Sequence, residues 1–187
     1  MSEPHRLGLV ICSTRPGRQG AIVAKWAAGH ARAHASFATE VVDLAEINLP
    51  LLDEPEHPRF KKYTKPHTLA WSARVDALDA FVFVTPEYDF ALPASLLNAL
   101  QCLSAEWAQK ACAFVSYGGV SAGTRGVQMA KQVVTSLAMM PIPQAVALPF
   151  FSKHIADGVL APGETQDKAA VAMLDALATW TAALRRR

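Results

Sequence analysis

The segment that follows the first apolar run of the chain combines hydroxyl and arginine side chains in a way that suits anion binding. Ser13 and Thr14 come directly after the run, Arg15 and Arg18 follow, and a helical pattern begins at Ala21. Backbone N–H groups at a helix N-terminus have no acceptor within the helix, and the helix dipole favours negative charge there. The sequence therefore predicts an anion site, with hydroxyl and guanidinium groups as additional donors.

Two known phosphate-binding motifs are absent from this loop, and a third is present only as a spacing. Gly17 and Gly20 complete neither Gly-x-Gly-x-x-Gly nor a Walker loop. Cys12 and Arg18 have the Cys-x5-Arg spacing of cysteine phosphatases, in which a thiolate attacks phosphorus. Pro16 favours a different loop, and no Asp-Pro pair offers a general acid, so a Cys12 phosphatase is the alternative interpretation.

A second polar loop, Glu87–Phe90, follows the apolar run Phe81–Thr85, which Pro86 ends. Its exposed amides and the aromatic ring of Tyr88 suit the edge and face of a flat heteroaromatic ring. A turn stabilised by side-chain hydrogen bonds of Asp89 is the structural alternative.

A third loop follows the apolar run Ala113–Ser116 and is rich in glycine. Gly118 and Gly119 allow a close approach of the backbone to a ligand, and Tyr117 is placed to flank a ring. Ser121 then leads towards another helical pattern. A flexible glycine-rich turn without a ligand is the alternative.

The elements that must position these loops alternate between strand and helix. Strands are predicted at Leu7–Cys12, Glu40–Leu44, Phe81–Thr85, Ala113–Ser116 and Gln144–Leu148, and helices at Ala21–Ala35, Leu69–Ala77, Leu92–Trp107, Ala122–Leu137 and Thr165–Leu184. This alternation predicts one α/β domain over residues 1–187, a doubly wound five-stranded parallel sheet with helices on both faces. Its loops meet at the carboxyl edge, where one phosphate-binding loop and two ring-binding loops match the shape of FMN.

The segment Ile47–Pro66 interrupts the alternation. Its four prolines forbid a long helix, so an irregular excursion is expected. Long loops in compact domains often serve as lids or partner surfaces, and a packed loop without a role is the alternative.

Composition excludes several classes of function. The chain has 187 residues, 51% of them hydrophobic, and a net charge of +2, which offers no broad footprint for nucleic acid. No apolar run approaches the roughly 18 residues of a membrane span, and the start resembles no signal peptide, so a cytoplasmic protein is expected. The three cysteines and six histidines show no metal-ligand spacing, so no metal is expected.

Three segments together resemble the NADPH-dependent FMN reductase family of flavodoxin-like proteins: "STRPGRQG", "TPEYDFALPASLLNAL" and "SYGGVSAGTRGVQ". They occur in the family's order, and the resemblance extends from Leu7 to Pro149. The family includes reductases of quinones, azo dyes and chromate. The resemblance implies a flavodoxin-like fold.

The resemblance also implies which residues bind the cofactor. Those around the FMN phosphate would be Ser13, Arg15, Arg18, Gln19 and Gly20. One side of the isoalloxazine would be lined, mostly through backbone amides, by Pro86, Glu87, Tyr88 and Asp89. The other side would be covered by Ser116, Tyr117, Gly118, Gly119 and Ser121.

The implied activity is that of an NAD(P)H oxidoreductase, a flavoprotein that takes hydride from NADPH or NADH. The flavin N5 carries the hydride, so no catalytic acid–base side chain is expected. The acceptor would be a small molecule, namely a quinone, an azo compound, a metal oxyanion or free flavin, reduced in a ping-pong cycle. A homodimer or tetramer is implied. A flavin-binding electron carrier or sensor with little turnover is a further alternative.

Two positions depart from the family's usual pattern. Asp89 stands where the family usually has Asn, and Ala94 where it usually has Gly. A carboxylate near the ring disfavours the anionic reduced flavin, so we expect Asp89 to lower the flavin's potential, and Ala94 to change little.

Overall fold

The computed structural model describes residues 3–185, in which strands and helices alternate as predicted. The strands are β1 His5–Ile11, β2 Phe37–Asp43, β3 Ala80–Pro86, β4 Ala111–Gly118, β5 Met140–Pro141, β6 Val146–Pro149, β7 Ile155–Ala156 and β8 Val159–Leu160. The helices are α1 Gly20–Ala33, α2 Leu44–Ile47, α3 Pro66–Asp76, α4 Ala94–Gln101, α5 Thr124–Ser136 and α6 Glu164–Arg185. Short 3-10 helices lie at Pro58–Phe60, Ala105–Trp107 and Phe151–His154.

The central sheet has the strand order β2-β1-β3-β4-β5. β6 also pairs with β4, nearer to the carboxyl end of that strand than β5 does. All of these pairs are parallel, with Leu9 opposite Val41 on one side and Val82 on the other. This is the flavodoxin-like order, in which the direction of winding reverses between β1 and β3. Ligands bind outside the carboxyl ends of the strands at such a point, so the fold confirms the predicted class and places the three loops at one edge.

Helices cover both faces of the sheet because successive strand side chains point to opposite faces. On one face, Leu9 and Val82 pack with the buried side chains of α1 and α6. On the other face, Phe81 and Phe83 pack with α3, α4, α5 and the buried ring of Trp107. Strands β3 and β4 are buried almost throughout, which explains their continuous apolar sequence.

The predicted helix Leu92–Trp107 is too long. Helix α4 ends at Gln101, and a separate 3-10 turn carries Trp107. The chain turns back so that the Trp107 ring is buried, and its Nε1 donates a hydrogen bond to the carbonyl oxygen of Leu100, at 3.1 Å. Burial of a large aromatic side chain therefore ends the helix earlier than the helical pattern indicated.

The fifth strand position is divided between two short segments, β5 and β6, rather than formed by a continuous strand at Gln144–Leu148. Pro141 and Pro143 lie in or between these segments and have no N–H to donate to a ladder. The excursion Ile47–Pro66 is irregular as predicted, and Pro66 is the first residue of α3. Within residues 3–185, every helix is too short or too polar to cross a bilayer.

Candidate FMN site

The loop between β1 and α1 leaves several backbone donors free. Gln19 precedes the helix, but its side chain makes no capping hydrogen bond. Among residues 3–185, the N–H groups of Gln19, Gly20 and Ala21 have no acceptor. The start of this 14-residue helix therefore presents unsatisfied N–H groups and the positive end of its dipole, as an anion site requires.

The two arginines of this loop have different roles. Arg18 Nη2 is 2.6 Å from Asp43 Oδ2, and Arg18 Nη1 donates to the carbonyl oxygen of Ser13, also at 2.6 Å. The Arg15 side chain is exposed and makes no hydrogen bond or ion pair within the described part of the chain. Arg18 thus fixes the shape of the loop, while Arg15 supplies an uncommitted positive charge.

Tyr117 lies at the end of β4 and contacts the start of α1. Its side chain is 4% exposed, and its hydroxyl oxygen has no hydrogen-bond partner among residues 3–185. Its ring packs edge-on against Phe151, with the ring centroids 4.8 Å apart. Burial raises the pKa of the Tyr117 phenol above its ordinary value, so the hydroxyl stays protonated and can donate.

The loop after β3 is a tight two-residue turn closed by its backbone. The N–H of Tyr88 donates to the carbonyl oxygen of Ala91 and the N–H of Ala91 to that of Tyr88, at 3.0 and 2.9 Å. Asp89 and Phe90 between them both have positive φ, of 49° and 68°. The Asp89 side chain makes no hydrogen bond within residues 3–185, so the alternative of a turn held by its side chain is wrong.

The loops after β1 and β3 are joined by a hydrogen bond between the Ser13 and Tyr88 hydroxyl groups, at 2.7 Å. The Tyr88 hydroxyl is therefore already engaged in a hydrogen bond within the chain. It also fixes the distance between the predicted phosphate loop and the first predicted ring loop.

The loops after β3 and β4 are joined by the Glu87 carboxylate, which is nearly buried. It accepts hydrogen bonds from the Ser121 hydroxyl at 3.0 Å, from the Arg125 N–H at 3.0 Å and from Arg125 Nε at 2.7 Å. Burial alone would raise the pKa of Glu87, but the bonds from Arg125, Ser121 and the Gly126 amide hold it below its ordinary value. Glu87 thus stays ionised and caps the N-terminus of α5 from a different loop.

A cavity of about 290 Å³ lies between the three loops. Ten of the predicted residues line it, namely Ser13, Arg15, Arg18, Gln19, Pro86, Glu87, Tyr88, Tyr117, Gly118 and Gly119. Four predicted residues do not line it, namely Gly20, Asp89, Ser116 and Ser121. Gly20 lies against the Tyr117 hydroxyl, and Ser116 is buried in β4. Asp89 is exposed to solvent, and Ser121 is hydrogen-bonded to Glu87.

Sequence reasoning missed one wall of the cavity, formed by Phe150, Phe151 and Ser152. These residues follow β6, and the Phe150 N–H donates to the carbonyl oxygen of Gly119, at 3.3 Å. The rule that ligands contact the loops after parallel strands would have identified them, had it been applied to the fifth strand position as well as to the others.

The cysteine phosphatase alternative does not fit this geometry. Cys12 is fully buried, its thiol donates to the Val10 carbonyl oxygen at 3.4 Å, and burial raises its pKa far above the ordinary value. A thiolate nucleophile is therefore disfavoured, and Arg18 is already paired with Asp43.

The residues present fit FMN. The N–H groups at the start of α1, the uncommitted Arg15 and the unpartnered Tyr117 hydroxyl are donors suited to a phosphate monoester. Arg15, Gln19 and Tyr117 line the cavity. Backbone of the loops after β3 and β4, together with aromatic side chains, lines the rest, as a planar ring requires.

Comparison with known proteins gives a consistent result. The family model described as NADPH-dependent FMN reductase matches residues 5–153. The chain is 36% identical over 156 residues to the NAD(P)H-dependent FMN reductase C4B3.06c of Schizosaccharomyces pombe, covering 82% of this chain and 78% of the relative. It is 33% identical over 159 residues to the NADPH azoreductase of a Bacillus species, covering 81% of each chain.

Among solved structures, the fold is similar to that of FerB, a flavoenzyme NAD(P)H:(acceptor) oxidoreductase from Paracoccus denitrificans. The TM-score is 0.77 at 17% sequence identity, and the match covers 96% of this chain and 98% of that one. At this identity the likeness shows the fold alone.

Proposed function

Because this chain belongs to the NADPH-dependent FMN reductase family, we propose that the cavity at the carboxyl edge of its sheet holds the FMN with which it oxidises NAD(P)H. The phosphate would lie at the start of α1 beside Arg15. The ring would lie between Pro86–Tyr88 and Gly118–Gly119. The observation that carries this assignment is the set of unused donors at the start of α1, on Arg15 and on Tyr117, beside a cavity that aromatic rings and loop backbone also line.

When bound, FMN supplies the hydride chemistry, accepting from NAD(P)H and delivering to an acceptor. The chain's own residues bind and orient it. The pair of Arg18 and Asp43 fixes the conformation of the loop after β1. The hydrogen bond between Ser13 and Tyr88 fixes the spacing between the loops after β1 and β3. Glu87 joins the loops after β3 and β4. None of these roles requires a side chain to transfer a proton.

NAD(P)H and the acceptor would use the open side of the cavity in turn. Phe150 and Tyr88 line the cavity and are 46% and 37% exposed. Aromatic side chains at such a position favour planar acceptors, so we propose a quinone or an azo compound over a metal oxyanion. Turnover of a naphthoquinone well above that of chromate, at equal concentration and with NADPH in excess, is the expected result; the reverse ranking contradicts the proposal.

We also propose that two copies of the chain associate around the cavity. Phe90 and Val120 project from the loops beside it and are 66% and 80% exposed. Exposed apolar side chains on loops beside a cavity are typical of an interaction surface. Light scattering after size-exclusion chromatography should give twice the mass of the chain or a multiple of it; a mass of one chain contradicts the proposal.

The enzyme would act in the cytoplasm, where the buried thiols of Cys12, Cys102 and Cys112 are kept reduced.

The visible absorption spectrum of the purified protein tests the cofactor assignment directly. It is recorded before and after addition of FMN, and then after NADPH under anaerobic conditions. A bound-flavin spectrum that NADPH bleaches, followed by many turnovers with acceptor, is expected. Absence of flavin binding at excess FMN overturns the site, and bleaching without turnover of any acceptor would favour an electron carrier.

A further inference from the structure

The Tyr117 hydroxyl is a buried polar group for which the fold provides no partner. Its side chain is 4% exposed and its oxygen is unpartnered among residues 3–185. Buried hydroxyl groups are nearly always hydrogen-bonded, because burial without a partner loses the hydrogen bonds to water and gains none in return. An unpartnered hydroxyl on a side chain that lines a cavity therefore indicates a missing acceptor.

The position of this hydroxyl identifies the end of the cavity that it faces. A Cβ atom built at Gly20 would lie 2.5 Å from the Tyr117 hydroxyl oxygen, so the phenol lies directly against the first residue of α1. The N–H groups of Gln19, Gly20 and Ala21 at the start of this helix are also without acceptors in the part of the chain that the structure describes. Two kinds of donor, from β4 and from α1, thus converge without an acceptor between them.

The electrostatic surroundings of the Tyr117 phenol are consistent with a location beside the basic loop. Burial makes the largest contribution to the pKa of Tyr117 and raises it, and the charges of Arg18 and Arg15 oppose that increase. The phenol therefore remains a neutral donor, and it lines the same cavity as Arg15 and Arg18. A ring-stacking role, which the resemblance implied for Tyr117, would leave this hydroxyl without an acceptor.

We infer that Tyr117 is a phosphate ligand: its hydroxyl donates a hydrogen bond to the phosphate of FMN beside the N–H groups at the start of α1. Gly20 is required because any Cβ at that position would displace the phenol. This inference rests on the proposed FMN site and assigns to Tyr117 a contact different from the ring face.

The first test compares two flavins that differ only in the phosphate. Tyr117→Phe removes the hydroxyl and keeps the ring that packs on Phe151. We expect FMN affinity of the full-length, flavin-free chain to fall by about tenfold to a hundredfold, and riboflavin affinity to stay the same, as measured by quenching of flavin fluorescence. The ³¹P resonance of bound FMN should also shift in this variant.

Tyr63→Phe is the matched control. The Tyr63 hydroxyl bonds to Glu106 and to the Pro58 carbonyl oxygen, away from the cavity, so neither flavin affinity should change. Equal loss of FMN and riboflavin affinity in Tyr117→Phe overturns the phosphate assignment in favour of the ribityl chain or the ring. Unchanged FMN affinity overturns it altogether.

A second test uses Gly20 and does not depend on turnover. Without the Tyr117 hydroxyl, the atoms nearest to a Cβ at position 20 are Tyr117 Cζ at 3.5 Å and Ile11 Cγ2 at 3.6 Å, which is ordinary contact. Gly20→Ala should therefore weaken FMN binding and lower the melting temperature in the natural sequence, but change both little when combined with Tyr117→Phe. Additive effects of the two substitutions contradict the inference.

Failure of the proposed function and failure of the role of Tyr117 give different experimental results. If the natural chain binds no FMN, the proposed function fails. If it binds FMN and NADPH bleaches the flavin, but Tyr117→Phe binds FMN as tightly as the natural chain, only the role of Tyr117 fails.

Discussion

The loop after β1 and the loop after β3 end at the same edge of the sheet, yet they use their polar groups in opposite ways. Within the described residues, the first leaves the N–H groups of Gln19, Gly20 and Ala21 without acceptors. The second is closed by backbone hydrogen bonds between Tyr88 and Ala91. Donors without partners indicate where charge is to be bound, whereas satisfied groups indicate where a flat, rigid surface is built.

The same contrast distinguishes Arg15 from Arg18, three residues apart in one loop. Arg18 is committed to Asp43, and Arg15 has no partner within the described residues. Sequence alone treats them as equivalent candidates for the phosphate. The structure makes one a part of the scaffold and leaves the other free to bind a ligand.

The largest expected effect concerns the scaffold arginine. Arg18→Ala leaves the Asp43 carboxylate, whose side chain is 11% exposed, without its cation. We expect the free energy of unfolding to fall by about 2 kcal/mol, less than for a fully buried pair. Urea denaturation of the flavin-free chain measures this. A change below about 0.5 kcal/mol would show that the pair does not hold the loop.

Loss of the Glu87 contacts that join the loops after β3 and β4 should have a somewhat smaller effect. Glu87→Gln weakens the bonds to Arg125 and Ser121 and should lower the free energy of unfolding by about 1.5 kcal/mol at pH 7. Glu164→Gln, which breaks an exposed pair with Lys168, is the control and should change it by less than about 0.5 kcal/mol.

The contribution of Glu87 should depend on pH. Its pKa in the folded chain lies below the ordinary value, so its stabilisation is present above about pH 4.3 and is lost as the pH falls through the folded-state pKa. The difference in stability between the natural chain and Glu87→Gln should therefore shrink below about pH 4. A difference that stays constant down to pH 2.5 contradicts the role of the ionised carboxylate.

The uncommitted arginine should affect binding and leave stability unchanged. Arg15→Ala should weaken FMN binding about tenfold, leave riboflavin binding unchanged and leave the melting temperature of the flavin-free chain within 1–2 °C. Arg59→Ala, whose guanidinium lies over Phe60, is the control. Equal effects of Arg15→Ala on both flavins would contradict a phosphate contact.

The smallest effect is expected at Asp89. Its side chain is exposed and does not line the cavity, so solvent screens its charge from the ring. Asp89→Asn should raise the flavin's midpoint potential, by less than about 30 mV, because removal of a negative charge favours the anionic reduced form. A redox titration that shows no shift, or a decrease, contradicts this prediction.

The fold and most of the site follow from local sequence patterns. Buried parallel strands have continuous apolar sequences such as Phe81–Thr85, and the polar loops after them fall at one edge by topology. Strand ends, helix starts and the irregular excursion are all encoded within a few residues.

Local sequence patterns do not encode contacts between side chains that lie far apart in the sequence. Arg18 pairs with Asp43 and Glu87 with Arg125 over sequence separations of 25 and 38 residues. The aromatic wall at Phe150 is different, because it follows β6 directly and the strand-end rule identifies it once the rule is applied to the fifth strand position.

The most direct measurement of the central claim is the affinity of the natural chain for FMN relative to riboflavin, by calorimetric titration of the flavin-free protein. The unused donors at the start of α1 predict that FMN binds at least about a hundredfold more tightly. Equal affinities would show that these donors do not bind the phosphate, and would contradict the account.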